Sequence, residues 1–276
     1  MLIKGPLLEL EKGFSEATSN NPIKIACTEI LDRFDSVSLS ELRGTKLMRR
    51  TDTKYLFQEE QLPQILENLS ADYDVLSVGG VRIQHYLTRY YDTPDFTFYR
   101  QHHNGQRDRF KLRVRSYLDS DLSFLEVKRK DNLDRTQKSR LETPYWANHN
   151  SPDVASFLEY ALPEIQPPLV PKITNQFYRI ALVSKHDRER LSLDLDLRFL
   201  SPSGQFSLPG IVVAEVKQPY FSVHASFIQK MREANYRPTS FSKYCIGVAL
   251  AYPNLKRNAF KPLLLEIQQL VVGGAA

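Results

Sequence analysis

Basic residues at every second position mark several stretches of this sequence, a spacing that lets one face of a β-strand hold an anion. In KLRVR, Lys111, Arg113 and Arg115 share a face opposite Leu112 and Val114. FLEVKRK sets Glu126, Lys128 and Lys130 against Leu125 and Val127, and VVAEVK sets Glu215 and Lys217 against Val212, Ala214 and Val216. RLSLDLDLRF aligns Arg190, Ser192, Asp194, Asp196 and Arg198 opposite a row of leucines, and RRTDTKYLF aligns Arg50, Asp52 and Lys54. A sheet with one face in water produces the same alternation. Two features favour an enclosed surface instead. Rows of Arg beside Lys repel one another unless an anion lies between them, and the helices of the chain need the apolar strand faces to pack on. The charged faces then line an interior, where unpaired charge is costly without a charged ligand. A linear polyanion fits: Arg grips phosphate oxygens in pairs and Lys neutralises them as a point charge. The interleaved carboxylates can hold a hard divalent cation that bridges two phosphates.

The elements that must position these residues follow from periodicity. Residues 1–21 mix Gly, Ser, Asn and charge without a period and read as a loose arm, closed by Asn21-Pro22. Ile25, Ile30, Leu31 and Phe34 predict a short helix over 23–34, and Leu62, Ile65, Leu66 and Leu69 another over 61–69, with a strand over 47–57 between them. From 81 to 141, alternating segments separated by polar turns at Asn104-Gly105 and 119–121 predict a run of antiparallel strands. Ser151-Pro152-Asp153 opens a helix through Ala161, and the Pro-rich stretch 163–171 is a connector. Strands are expected over 177–183, 190–199 and 211–218, then helices over 223–235, 244–251 and 260–272. The expectation is one α+β domain over 22–276, dominated by an antiparallel sheet.

The bulk figures agree with an anion-handling globular protein. Lys plus Arg number 37 against 32 Asp plus Glu, giving +5 and a pI near 9.0, so anions are favoured partners: nucleic acid, phosphorylated small molecules or an anionic membrane. Cys27 and Cys245 stand far apart without metal-ligand spacing, so neither a disulfide framework nor a zinc site is expected and a reducing cytoplasm is. Pro6, Glu9 and Glu11 interrupt any apolar signal core, and no apolar run reaches membrane-span length. His85, His102 and His103 match no standard ligand spacing, and burial accounts for Trp146 and most tyrosines. No nucleic-acid-binding signature appears. Phe260, Leu263, Leu264, Ile267 and Leu270, with Lys256, Arg257 and Lys261 nearby, give the last helix one apolar side; it packs on the sheet or, alternatively, docks on a membrane partner at the inner face.

The ordered set RRTDTKY, TRYYDTPDFTFYRQHHNG, RFKLRVRSY, FLEVKRK, KSR, QFYRIAL, RERLSLDLDL, VVAEVK and SFSKY resembles the VTC domain, the polyphosphate polymerase branch of the triphosphate tunnel metalloenzyme (CYTH-like) superfamily, over 47–251. The resemblance implies an eight-stranded antiparallel β-tunnel that binds ATP and polyphosphate and, with a divalent metal (Mn2+ or Mg2+), moves the terminal phosphate of ATP onto a polyphosphate chain. Carried over by motif, it implies that Lys54, Arg113, Arg115, Lys128, Lys138, Arg179, Arg190 and Lys243 contact phosphates. It makes Glu215 the metal ligand, with Glu126 a second acid. Ser242, Lys217 and Arg50 are implied around the substrate, and Tyr178 or its neighbour Phe177 falls where the family places an aromatic residue beside the tunnel arginine. Other tunnel enzymes begin with an ExExK strand; here the positions read Arg50, Asp52 and Lys54, as suits the polymerase branch. Neither an SPX sensor nor transmembrane helices are seen, so control by inositol pyrophosphates is not expected. A tri- or polyphosphate hydrolase and a non-catalytic polyphosphate-binding module are the alternative readings.

Overall fold

The computed structural model describes residue 14 and residues 21–43, 50–133, 135–145, 151–162 and 168–273. Within these, the strands that carry the charged rows join in one antiparallel path. Its order is β2 (Thr51–Gln58), β11 (Ile211–Gln218), β9 (Arg190–Ser201), β8 (Val170–Ser184), β4 (Ile83–Asp92), β5 (Arg109–Tyr117), β6 (Leu122–Lys130) and β7 (Thr136–Glu142). Three short strands extend this sheet: β10 (Gly204–Leu208) pairs with β9, β3 (Tyr73–Leu76) with β8, and β1 (Ser36–Val37) with β3. The fold is therefore α+β, with an eight-strand wall curved around an interior. It does not close: among the described residues β2 and β7 share no ladder.

The apolar half of each alternation explains the helices. Tyr55 and Phe57 of β2, Val212, Ala214 and Val216 of β11, and Leu191, Leu193 and Leu195 of β9 face outward into one core cluster. Helices α1 (Pro22–Leu31), α3 (Leu62–Leu69) and α6 (Ser226–Glu233) cover it with Leu31, Leu66 and Phe227. Pro22 at the start of α1 lacks a donor where none is needed, and Asn21 Oδ1 accepts from Ile23 N at 2.8 Å to cap it. On the other side, Leu112, Val114, Leu125 and Val127 of β5 and β6 share a second cluster with Val154 and Leu158 of α5 (Pro152–Ala161).

Along the inner face, charge gives way to hydrocarbon. Lys54 is followed two residues on by Leu56, Glu215 is preceded by Val213 and Ile211, and Phe199 stands further along β9. These apolar positions join α7 (Lys243–Ala251) and α8 (Lys261–Gly273) in the second cluster, so the two helices fill that end of the tunnel. The fit is tight at Gly247, where a Cβ would lie 2.7 Å from Ile173 Cδ1 and 2.9 Å from Phe199 Cδ1. The last helix thus packs on the sheet through Leu263 and Ile267. No helix among the described residues is long and apolar enough to cross a membrane.

Several expectations shift. The stretch expected as strands alone contains a helix, α4 (Thr97–His103), because the buried Asp92 carboxylate accepts from the backbone N–H of Thr93, Phe98 and Tyr99 at 2.7–2.9 Å and pins its first turn. The strand expected over 177–183 runs from Val170, and a five-residue helix, α2 (Leu39–Arg43), follows β1. Of the expected arm, Phe14 is helical and buried in the core, while 1–13 and 15–20 lie outside the described residues, as does Trp146.

A larger correction concerns β9. Strict alternation would place Asp196 and Arg198 with Asp194, but the register against β8 shifts between Gln176 and Tyr178, and Asp196 takes a left-handed φ of 52°. This bulge reverses the phase of the strand. Arg198 consequently pairs with Asp196 at 3.0 Å near His85, on the outside.

Candidate functional site

Inside the tunnel three carboxylates each lie between two cations. Antiparallel register puts Glu215 opposite Lys54; Lys54 Nζ donates to its Oε1 at 2.5 Å, and Lys217 Nζ, two residues along the same face, donates to Oε2 at 2.6 Å. Register also places Arg179 opposite Asp194. The guanidinium donates through Nε at 2.5 Å and Nη2 at 2.7 Å, and Lys243, the first residue of α7, reaches the same carboxylate from above. Glu126 accepts from Arg113 Nε at 2.7 Å and pairs with Lys138 of β7.

These acids stay ionised although they are buried. Burial alone would raise each pKa, but Arg113, Arg115 and Lys138 hold Glu126 down to about 2, and Arg179 and Lys243 hold Asp194 down to about 2. Lys217 and Lys54 likewise keep Glu215 well below the usual carboxylate range. Burial pulls the lysines the other way. Lys243 falls to about 8, with Arg179 adding to the effect and Asp194 opposing it, and Lys138 falls to about 8 against the pull of Glu126.

Beyond the clamps the interior opens into a cavity of about 840 Å³ between β2 and the β5–β7 side of the wall, bounded also by the start of α7. Lys54, Lys111, Lys128 and Lys130 line it, and among the described residues Asp52 is the one acidic side chain in the lining. Among the described residues neither Lys111 nor Lys128 has a carboxylate within ion-pairing distance. Desolvation lowers both ammonium groups; Lys54, Arg113 and Arg109 press Lys111 further, and Lys111 helps bring Lys128 to about 8. His102, on the same wall, is forced down to about 2 by burial and by Lys111 and Arg109, and is neutral. Lys54 of β2 and Lys128 of β6 line this one cavity, so the two ends of the sheet face each other.

The structure brings together Lys54, Arg113, Arg115, Lys128, Lys138, Arg179, Lys217, Lys243, Glu126 and Glu215. Arg115 is buried, its Nε 3.4 Å from Thr88 Oγ1 and its guanidinium over the Tyr86 ring. Arg190 stands at the other mouth, where its Nη2 donates to the Leu42 carbonyl at 2.8 Å. Arg50 lies on the cavity rim against Asp52 at 2.9 Å. Ser242 Oγ accepts from Cys245 N at 3.3 Å, capping α7 and so fixing where Lys243 starts.

Tyr178 is a correction. It faces the outer cluster, stacked on His85 with ring centroids 4.5 Å apart and Lys24 above it. Phe177 is the inward aromatic, with Lys243 Nζ 4.3 Å and Arg179 Cζ 5.3 Å from its centroid. Two further site residues, Asp194 and Lys111, stood in the alternating rows without being singled out; only the register reveals that Asp194 faces Arg179 and that Lys111 has no acid opposite it.

No group of three or more His, Cys, Asp or Glu gathers among the described residues. A divalent cation here would have to take most of its ligands from phosphate oxygens and one or two from protein carboxylates, a donor set that suits Mg2+ or Mn2+ beside a bound phosphate chain. Glu215 fits that role on condition that Lys54 and Lys217 turn to the phosphates.

The VTC domain family matches residues 49–252. No curated protein matches the sequence. Among solved structures, a candidate adenylate cyclase from Bacillus halodurans is similar at 15% identity, with 71% of this chain and 96% of that chain covered and a TM-score of 0.48. HpAC1 from Hippeastrum, a candidate adenylyl cyclase described as having a dominant triphosphatase activity, is similar at 14% identity, with 73% and 96% covered and a TM-score of 0.43. The PH1819 protein from Pyrococcus horikoshii is similar at 12% identity, with 71% and 95% covered and a TM-score of 0.39. With its match running through every strand of the tunnel wall, the chain belongs to the VTC domain family.

Proposed function

We propose that this tunnel binds linear polyphosphate and extends it, moving the γ-phosphate of ATP onto the chain end. The observation that carries the reading is the charge arrangement: three clamped carboxylates beside Lys111 and Lys128, which open onto one cavity and, among the described residues, have no carboxylate within ion-pairing distance. Membership of the VTC domain family supports it.

Phosphoryl transfer asks the protein for alignment and charge neutralisation. Arg113, Arg115, Lys138, Arg179 and Lys243 surround the deep end and would grip the donor triphosphate, while Lys54, Lys111 and Lys128 hold the acceptor chain. An ionised oxygen of the acceptor forms the new P–O bond as the γ-phosphorus parts from the bridging oxygen of ADP, which keeps the electron pair. The acceptor oxygen is already deprotonated, so no side chain is needed as base or nucleophile. A divalent metal on Glu215 would neutralise charge on the phosphate oxygens. Asp194 keeps Lys243 and Arg179 close together and supports the protonated state of Lys243.

Incubating the protein with ATP and Mn2+ while following ADP, free phosphate and long polyphosphate tests the reading. Polyphosphate with equal ADP, abolished in Glu215→Ala, is the expected result. Free phosphate alone would make the protein a hydrolase, and polyphosphate binding without turnover would make it a binding module.

A further inference from the structure

The first turn of α7 is tied to the tunnel wall at two consecutive residues. Lys243 reaches Asp194 of β9, and Tyr244 donates its hydroxyl to Asp92 at the end of β4. The two carboxylates are held differently. Asp194 lies between two cations, Arg179 and Lys243. Asp92 is fully buried, and among the described residues its hydrogen-bond partners are neutral: Oδ1 accepts from the backbone N–H of Thr93 and Phe98, and Oδ2 from that of Tyr99 and from the Tyr244 hydroxyl.

Asp92 thereby joins two helices that bound the basic cavity. Phe98 and Tyr99 belong to the first turn of α4, whose His102 lines the cavity, and Tyr244 belongs to α7, whose Cys245 lines it too. The Tyr244 ring is buried and stacks on Tyr90 with centroids 5.3 Å apart. Tyr90 in turn stands opposite Arg113 of β5 and helps keep that guanidinium charged. One carboxylate on the wall thus sets the placement of α4 and of α7, and its contact with α7 extends to a second clamp.

The two ties answer differently to a phosphate chain. Lys243 is one of the cations proposed to grip the triphosphate, and a phosphate oxygen competes with Asp194 for its ammonium group. Asp92 has no cation to surrender, and its oxygens are filled by backbone and tyrosine donors. When Lys243 turns to the ligand, the bond from Tyr244 to Asp92 is, among the described residues, the side-chain hydrogen bond that still holds the first turn of α7 to the sheet. A cation whose backbone stays fixed loses less freedom on binding.

We infer that Asp92 is a positioning residue for the phosphate clamp: through Tyr244 it fixes where α7 begins and so keeps Lys243 beside Arg179 when a phosphate chain takes the place of Asp194. The inference rests on the proposed binding of phosphate chains in the tunnel. It also separates affinity from stability. A bond that served the fold alone would contribute equally to the free and the bound protein and cancel from the binding constant, whereas this one contributes more once Lys243 has left Asp194.

Calorimetric titration of the whole chain with inorganic tripolyphosphate tests it. Tyr244→Phe removes the hydroxyl and keeps the ring on Tyr90. Tyr73→Phe is its control, because the Tyr73 hydroxyl also donates to a buried carboxylate, that of Glu189, but within the outer core cluster. Both substitutions should lower the midpoint of urea unfolding. Tyr244→Phe is expected to weaken tripolyphosphate about fivefold, and Tyr73→Phe to leave it unchanged. In a Lys243→Ala background Tyr244→Phe should cost no further affinity, and Asp92→Asn, which keeps the side-chain shape, should repeat the loss when Lys243 is present. Unchanged affinity in both Tyr244→Phe and Asp92→Asn would overturn the inference and leave Asp92 a part of the fold alone. Equal weakening by Tyr73→Phe would overturn it as well, since affinity would then follow stability, and so would a loss that persists without Lys243. If the wild-type protein binds no tripolyphosphate, the tunnel reading falls first and the inference with it.

Discussion

Arg179 and Lys243 share one buried carboxylate, whereas Lys111 and Lys128, on strands of the same tunnel, have none within ion-pairing distance among the described residues. In the first region Asp194, Glu126 and Glu215 neutralise the cations that surround them. In the second, like charges face each other and desolvation works against both lysines. The deep clamps are arranged for stability without ligand. The cavity carries an excess of positive charge, and under the proposed function it is where a phosphate chain gains most.

The largest effect should come from breaking a clamp. Asp194→Ala leaves Arg179 and Lys243 buried without their counter-ion, at a cost of about 3–5 kcal/mol. Unfolding by urea should show that loss, and tripolyphosphate should restore more stability to the variant than to the wild type, because phosphate takes the place of the carboxylate. Equal stabilisation of both proteins would break the comparison. In the cavity the sign reverses. Lys111→Met should raise the stability of the ligand-free protein while weakening polyphosphate about tenfold at low salt; a variant that destabilised the free protein would mean that Lys111 has a stabilising role.

Acidity sharpens the same contrast. Lys128, Lys138 and Lys243 have folded pKa values of about 8, below the ordinary lysine value, so between about 8 and 10.5 the unfolded chain binds more protons than the folded one. Stability of the free protein from these groups therefore rises with pH across that window, while polyphosphate affinity falls as the ammonium groups lose their protons. Calorimetry in buffers of different ionisation enthalpy should register proton uptake on binding near pH 8; binding independent of pH from 7 to 9 would contradict the assignment. The smallest effect belongs to Ser242→Ala, which removes the cap of α7 at about 1 kcal/mol and should loosen Lys243 enough to weaken ATP measurably.

Much of this arrangement was readable from residue spacing. Alternation identified the charged face of β2, β5, β6 and β11 correctly, because those strands keep strict period two and each apolar face has a helix or core cluster to bury it. Alternation failed where the backbone departs from it. The sequence LDLDLRF continues without a break through Asp196, yet Asp196 adopts a positive φ and turns Arg198 outward. Phe177 and Tyr178, neighbours of like chemistry, are told apart by the pleat of β8, which keeps its period here: Phe177 stands two residues from Arg179 on the inner face, opposite Tyr86, and Tyr178 takes the outer one. Helix α4 was hidden because its start depends on the buried Asp92, whose contacts reach the first turn and also Tyr244 on α7. Asp194 and Lys111 were visible as residues of the right type; which acid sits opposite which cation is a property of strand pairing and cannot be read from either strand alone.

The most direct test of the account is polyphosphate binding measured against salt, with wild type beside a Lys111→Glu/Lys128→Glu double variant and an Arg33→Glu control on the exposed outer surface. The account predicts tight binding that falls steeply with ionic strength, collapses in the double variant and is unchanged in the control. Binding lost equally in both variants, or absent from the wild type, would contradict a phosphate-filled interior.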